Sequence, residues 1–529
     1  MKHSYIDLLR EPDSVLFQYE DSPLRFEEAD SREEQKDKID YIISDGCGQV
    51  VLYPTDRAVK RVKLRWRGDM SDCIMIMGDA YARAYQNAYW SGLTPHRQMP
   101  WFFYAYDGEK LNSFGVKTNP NALCFFECDS FGITLWIDVR NGGGGVSLKE
   151  PLSAVNVVCR EGKTNETYFE AAKSFCRQMC ANPVLPKEPV IGVNNWYWAY
   201  GNITHDSVMN ETDYLMEMCA ESVVKPYMII DDGWLINRTE SYNGGPWDKV
   251  NCGFESMEKT ADAIRLKGAK AGIWFRPLLT TLLVPDEVVL KNKSIKEGVI
   301  LDPSHPVVLN QVSADTERIK KWGYSLIKHD FSTMDTIADV LTKEDNWHFY
   351  DRTLTNCQIL KNLYATIQNS ADDAVVIGCD TLNHVVAGIH ASQRSGADTS
   401  GRNFEITRQD GGEALMRLPQ NGTFFNVDPD CAAFTEYVDI GLNLDFLEAC
   451  AISGCVTLAS VVPGILKADE MKRIQKIFKI ASQGGKGAVP ADWLGHNMIS
   501  RFILPDGKEI KFDWYKGYDG VRSYYEWMQ

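Results

Sequence analysis

The chain lacks most of what would mark a metalloprotein, a disulfide scaffold or a nucleic-acid binder. It has nine histidines in 529 residues and no His-x-His pair. The tight ligand set of a metal-dependent barrel hydrolase is therefore missing, although His384, His390, Asp330 and Asp398 are the groups such a site would draw on. His384 and His390 read instead as a loop contact and a packed residue. The 14 cysteines show no Cys-x-x-Cys pair and no regular spacing, so they are expected to be mostly reduced thiols in a cytoplasm. No apolar run approaches membrane-spanning length, and the opening Met1–Arg10 lacks the apolar core of a signal peptide. Basic residues are outnumbered, 56 Lys and Arg against 72 Asp and Glu, for a net charge of −16. That balance argues against nucleic acid and against an anionic membrane as partners. The run Asn141-Gly-Gly-Gly-Gly-Val146 is followed by neither Lys-Ser/Thr nor a helix start, so it predicts a turn rather than a phosphate loop.

What is present is ordinary globular composition, 44% hydrophobic and 24% charged, in a chain too long for one core. Two or three domains are expected. Aromatics at 11%, including 14 Trp and 23 Tyr, suit a neutral, hydroxyl-rich ligand gripped by ring faces and polar groups.

Residues 1–185 predict a mostly β region. Short runs at Ser14–Tyr19, Val50–Tyr53, Ile74–Met77, Trp101–Tyr106, Leu123–Glu127 and Gly132–Val139 are rich in β-branched and aromatic residues and are separated by Gly, Asn, Asp and Pro. Thr164–Cys180 predicts an amphipathic helix, and Asn182–Pro189 reads as a linker. From Val190 the rhythm changes. Apolar runs at Val190–Trp196, Pro226–Ile230, Ala269–Phe275, Tyr324–Ile327, Ala374–Gly378, Ile389–Ser392, Thr423–Asn426 and Cys455–Ser460 alternate with helical stretches such as Glu258–Lys267 and Val307–Trp322, each stopped by a glycine. Eight strand–helix units predict a closed parallel (β/α)8 barrel over residues 186–466. Only a short helix fits between the fifth and sixth strands. Residues 467–529 predict a helix, Ala468–Ser482, and a small β appendage.

Polar groups stand where seven of these eight strands should stop. The first strand ends in Asn195-Trp196, the second in Asp231-Asp232-Gly233-Trp234, and the third in Trp274-Phe275-Arg276-Pro277. The fourth ends in Lys328-His-Asp330, the fifth in Cys379-Asp380, the sixth in Arg394-Ser-Gly-Ala-Asp398, and the seventh in Asn426-Val-Asp428-Pro429-Asp430. Any one of these is adequately explained as a helix cap or a turn. Together they fall at the C-terminal mouth of a barrel, where catalytic residues gather. Lys328 and Asp330 lie two apart, so they leave their strand on one side. Asp330 and Asp398, from different strand ends, are the minimal carboxylate pair of a glycoside hydrolase.

These motifs, in this order, resemble the α-galactosidase clan of glycoside hydrolases, families 27 and 36, most closely family 36. The resemblance covers roughly residues 190–460, and Leu301-Asp-Pro-Ser-His-Pro and Trp322-Gly-Tyr add to it. Met77-Gly-Asp-Ala-Tyr-Ala-Arg-Ala-Tyr is similar, less strongly, to the antiparallel β-sandwich that precedes the family 36 barrel. The resemblance implies that Asp330 is the nucleophile and Asp398 the general acid/base of a retaining mechanism. It implies that Asp231 and Asp232 hold sugar hydroxyls, that Lys328 contacts the C3/C4 side, and that Arg394, Cys379 and Asp380 lie near C2. Trp196 and Trp234 would wall the pocket, with Trp274 and Asp430 also in the sugar site. Such chemistry needs an ionised Asp330, favoured by Lys328, and a protonated Asp398 with a raised pKa. It calls for a carbohydrate substrate and no metal or organic cofactor.

The chain departs from family 36 after the third strand, where Arg276-Pro277-Leu278 stands in place of Glu-Pro-Glu, and after Asp380. An α-N-acetylgalactosaminide, a β-L-arabinopyranoside or glycosyl transfer therefore stay open beside an α-galactoside, as does a carbohydrate-binding protein without turnover. Tyr89 and Trp90 are expected in the core, with walling a pocket, within the chain or across the interface of a homo-oligomer, as the alternative.

Overall fold

Period-two alternation builds the N-terminal region. In Arg61–Arg67, the apolar residues Val62, Leu64 and Trp66 are buried while the intervening basic residues are half-buried or exposed. The computed structural model describes residues 5–28, 39–83, 88–293, 295–343 and 345–516. Within these, residues 14–160 form two six-stranded antiparallel sheets stacked as a sandwich. One contains Ser14–Tyr19, Val59–Arg67, Leu123–Asp129 and Gly132–Asp138; the other contains Cys47–Leu52, Phe102–Tyr106, Leu111–Val116 and Leu152–Arg160. The glycine run is a turn, bridged from Asn141 to Gly144. It packs so closely on the barrel that a Cβ at Gly142 would collide with the Trp347 carbonyl oxygen.

The linker helix spans Tyr168–Met179. Thr167 and Glu170 form a reciprocal capping box at its start, and Phe169, Ala172, Phe175, Cys176 and Met179 share its buried face. It packs against Leu111–Val116 of the sandwich.

The barrel strands are Ile191–Asn194, Tyr227–Ile230, Lys270–Phe275, Leu326–His329, Val375–Gly378, Ser392–Arg394, Asn426–Asp428 continuing as Cys431–Phe434, and Thr457–Val461. All neighbours run parallel. The seventh strand is broken at Pro429-Asp430, where Asp430 takes a φ of 74°. Its first half pairs with the sixth strand and its second half with the eighth, so the kink closes the ring. The sixth strand begins later than the apolar run Ile389–Ser392 predicts, because the four-residue helix Asn383–Val386 and the Gly388 turn take up the interval. The seventh likewise begins at Asn426, since Thr423 and Phe424 hydrogen-bond back to Gln420 in the preceding turn. Tyr227, Ile229, Leu326, Ile377, Ala433 and Leu458 fill the barrel interior. Ala468–Ser482 packs against Ile440–Ile452 and His205–Met218 in the outer ring. Beyond it lies a three-stranded sheet of Val489–Pro490, Arg501–Ile503 and Glu509–Lys511.

Trp90 is buried, donating its indole N–H to the Trp493 carbonyl at 2.8 Å, while Tyr89 is partly exposed. All 14 cysteines are free thiols, with Cys252 alone exposed. Among the described residues no helix is long and apolar enough to cross a membrane.

Candidate active site

Strand periodicity places the first charged groups. Tyr227, Ile229 and Asp231 alternate onto the barrel interior, as do Leu326, Lys328 and Asp330. The last polar member of each series therefore caps the apolar core. There Lys328 Nζ pairs with Asp231 Oδ2 at 2.8 Å. The same oxygen accepts from Asn194 Nδ2 at 2.5 Å, and the Asp231 amide donates to Asn195 Oδ1 at 2.9 Å. Asp232 is also buried. Its carboxylate accepts from Arg238 Nε at 3.3 Å and from Asn243 Nδ2 at 3.5 Å, so the loop after the second strand folds back over it. Burial, offset by Arg238, pushes the Asp232 carboxyl up to about 6.

Asp330 follows the fourth strand and is 6% exposed. Its Oδ1 accepts from the Phe331 amide at 2.8 Å and its Oδ2 from the Trp274 indole N–H at 3.3 Å. Burial alone would raise this carboxyl, but the charges of Arg83 and Lys328 outweigh it and hold Asp330 below the usual carboxylate range.

Asp398 stands four residues past Arg394, in the loop after the sixth strand. Its side chain is 52% open to solvent. Arg394 Nη2 reaches Asp398 Oδ1 at 3.0 Å and Asp430 Oδ2 at 2.8 Å. Asp430 also accepts from the Tyr197 hydroxyl and, at 2.9 Å, from the Thr399 amide. It therefore orients Arg394 and the loop that carries Asp398.

One functional group is absent from the sequence-based expectations. Arg83, from the sandwich, donates to Asp398 Oδ1 and lies 3.7 Å from Asp330 Oδ1. A single guanidinium spans the two carboxylates. This corrects the expectation of a raised Asp398 pKa. Burial raises it, but Arg83, Arg394 and Lys328 together hold it well below the usual range. Water at the open face of Asp398 softens that effect. Arg83 lies more than 300 residues before its partner, and no local pattern announces such a contact. The only signal is the similarity of residues 77–85 to the family 36 sandwich, the last two of which, Ala84 and Tyr85, lie outside the described residues.

The structure separates the remaining predicted residues. Trp196, on the four-residue helix Trp196–Ala199, is half-buried near the first strand end. Trp234 does not wall the pocket. Gly233 takes a φ of 132° and turns the chain inward, leaving Trp234 fully buried with its indole N–H on the Trp274 carbonyl at 3.0 Å. Trp274 is buried and reaches the site only through its N–H to Asp330. Cys379 is buried, 3.6 Å from Arg394 Nη1. Asp380 accepts from the Met334 amide at 2.8 Å, and burial pushes its carboxyl up to about 7. Arg276 forks onto Asp335 at 2.5 and 2.9 Å and donates to Asn243 at 2.6 Å, tying the second-strand loop to the segment after Asp330.

Beneath Asp330, facing outward from the strand, His329 Nε2 meets His390 Nε2 at 3.0 Å. The His390 Nδ1 faces Gln368 Oε1 at 3.4 Å, and Ser332 Oγ faces His329 Nδ1 at 3.3 Å. With both rings neutral, one directed chain satisfies every contact: Ser332 donates to His329, His329 to His390, and His390 to Gln368. Burial lowers the His329 pKa to about 4, and burial together with the facing His329 ring holds His390 well below the ordinary imidazole range. His384 is a packed residue whose Nε2 lies 2.7 Å from the Val116 carbonyl. Among the described residues no group of three or more His, Cys, Asp or Glu could hold a metal ion.

An N-terminal sandwich and a parallel barrel with carboxylates facing each other at the strand ends define the architectural class. No family model matches the chain, and no curated protein matches it significantly. Solved structures do. An α-galactosidase from Thermus thermophilus, in complex with p-nitrophenyl α-D-galactopyranoside, aligns with a TM-score of 0.60 at 16% identity over 89% of this chain and 96% of that one. The family 36 α-galactosidase of Geobacillus stearothermophilus gives 0.61 at 13% identity over 93% and 79%. An α-galactosidase from Lactobacillus brevis gives 0.58 at 12% identity over 94% and 75%. The chain therefore has the fold of the family 36 α-galactosidases.

Proposed function

We propose that the protein is a retaining glycoside hydrolase that removes a terminal α-galactoside-type sugar. What carries this reading is the pairing of Asp330 and Asp398 at the strand ends, within reach of a single guanidinium and above the Lys328–Asp231 pair. Asp330 is ionised and fixed by two N–H donors, as a nucleophile requires. In the proposed reaction Asp330 attacks the anomeric carbon while Asp398 protonates the leaving oxygen. Water then opens the glycosyl–Asp330 ester with Asp398 as base. Asp231 and Asp232 would accept sugar hydroxyls, and a buried carboxylate left without its hydroxyl partner penalises sugars that lack it. Neighbours of the same fold were solved with stachyose and with raffinose, which supports an oligosaccharide with a terminal galactose as the first candidate. The loop contacts of Arg238, Asn243 and Arg276 around Asp232 keep α-N-acetylgalactosaminides and β-L-arabinopyranosides in the test set.

The test is a panel of nitrophenyl glycosides: α-galactoside, α-N-acetylgalactosaminide, β-L-arabinopyranoside and α-glucoside, offered to the wild type and to Asp330→Ala. Release from one sugar, lost in the variant, is the expected result. Silence across the panel from folded protein contradicts the hydrolase reading and favours sugar binding without turnover.

A further inference from the structure

In a retaining glycosidase the anomeric carbon lies between the two carboxylates, which stand about 5–5.5 Å apart. In this structure that place is taken by Arg83, whose guanidinium contacts Asp330 Oδ1 and Asp398 Oδ1 together. The position is incompletely satisfied. Arg83 Nε is buried with no hydrogen-bond partner among the described residues, while Nη1 donates to Asp398 and Nη2 lies 3.7 Å from Asp330. A guanidinium and a pyranose ring cannot both fill the space.

We propose that Arg83 is a displaceable occupant of the sugar site, that binding of a neutral sugar drives it off both carboxylates, and that Asp398 takes up one proton as it leaves. The inference rests on the reading of this pocket as a glycoside site. It resolves the conflict between the proton Asp398 must donate and the ionised state in which Arg83 holds it. The charged and titratable groups facing Asp398 are Arg83 from the sandwich, Arg394 at the end of the strand before its loop, Lys328 and Asp330 at the end of the fourth strand, Asp410 from the following helical segment, and Tyr197 from the helix Trp196–Ala199. Arg394 is shared between Asp398 and the closer Asp430, and Lys328 is paired with Asp231. Once Arg83 departs, the cation shared by the two carboxylates is gone, and Asp330 pushes the Asp398 proton affinity up. Sugar binding and proton binding are then linked, each favouring the other. Arg83 also lowers apparent affinity, since only the fraction of molecules with the guanidinium withdrawn can bind.

Isothermal titration of D-galactose near neutral pH, in buffers of different ionisation enthalpy, counts the protons exchanged. The expected result is uptake approaching one proton by the wild type. Arg83→Gln should take up clearly less and bind about tenfold more tightly, as expected when a competing conformer is removed. Arg83→Lys, a point charge that cannot span both oxygens, should fall between them. Binding by the wild type with no buffer dependence overturns the proposal while leaving the sugar site standing. Equal uptake by wild type and Arg83→Gln also overturns it. No binding by either protein, with galactose or with the other sugars of the panel, overturns the sugar-site reading and this inference with it.

Discussion

The two carboxylates at the barrel mouth are held in opposite ways. Asp330 sits one residue past its strand, nearly buried, with a backbone N–H and an indole N–H fixing its oxygens. Asp398 sits in a loop past its strand, half open, held by two arginines, one of which comes from another domain. The first is positioned by the barrel itself. The second takes its protonation state from whatever occupies the space beside it. A nucleophile needs one constant state, and an acid/base must change state twice per turnover, so the difference in support matches the difference in proposed task.

Asp330→Ala should have the largest effect, a loss of about 10⁴-fold or more in kcat/KM. External azide should restore part of the activity and give a product of inverted anomeric configuration, read by NMR. A folded variant with no azide rescue would break the assignment. Asp398→Asn should be milder and selective, costing about 10²–10⁴-fold on poor leaving groups and much less on nitrophenyl glycosides. Equal loss on both kinds of substrate would remove the acid role and erase the contrast between the two sites.

Much of this site is legible in the amino-acid order alone. Lys328 and Asp330, Asp231, Arg394 and Asp398 all stand where apolar runs end, because strand alternation and the barrel's polarity fix which end and which face they occupy. Trp234 defeats that logic because alternation stops at a turn: the positive φ of Gly233 redirects the next side chain into the core. Asp430, expected in the sugar site, has a kinked backbone and pairs with Arg394, neither of which the sequence announces. Val59–Arg67 is a strand absent from the expected set, although Val62, Leu64 and Trp66 alternate with basic residues along it. Arg83 lies beyond sequence logic altogether, because the contact exists only through the docking of the sandwich on the barrel.

A smaller effect tests the support under Asp330. His329 and His390 are neutral in the fold, with pKa values below the ordinary 6.5, so the unfolded chain binds more protons as pH falls. The stability they contribute is therefore present above about pH 6.5 and lost progressively toward pH 4. His390→Gln keeps an acceptor for the His329 N–H while removing one titrating ring. Its melting temperature should fall less steeply than the wild type's between pH 6.5 and 4. An unchanged slope would mean that the pair does not support the nucleophile side in the way the buried chain implies.

The most direct test of the central claim is to trap the glycosyl–enzyme with a slow, activated fluorosugar of whichever configuration the panel selects, then map the labelled peptide by mass spectrometry. One sugar per chain is expected, attached to Asp330 within Tyr324–Phe331. A label on another residue, or steady turnover of the fluorosugar to an inverted product with no covalent species, would contradict it.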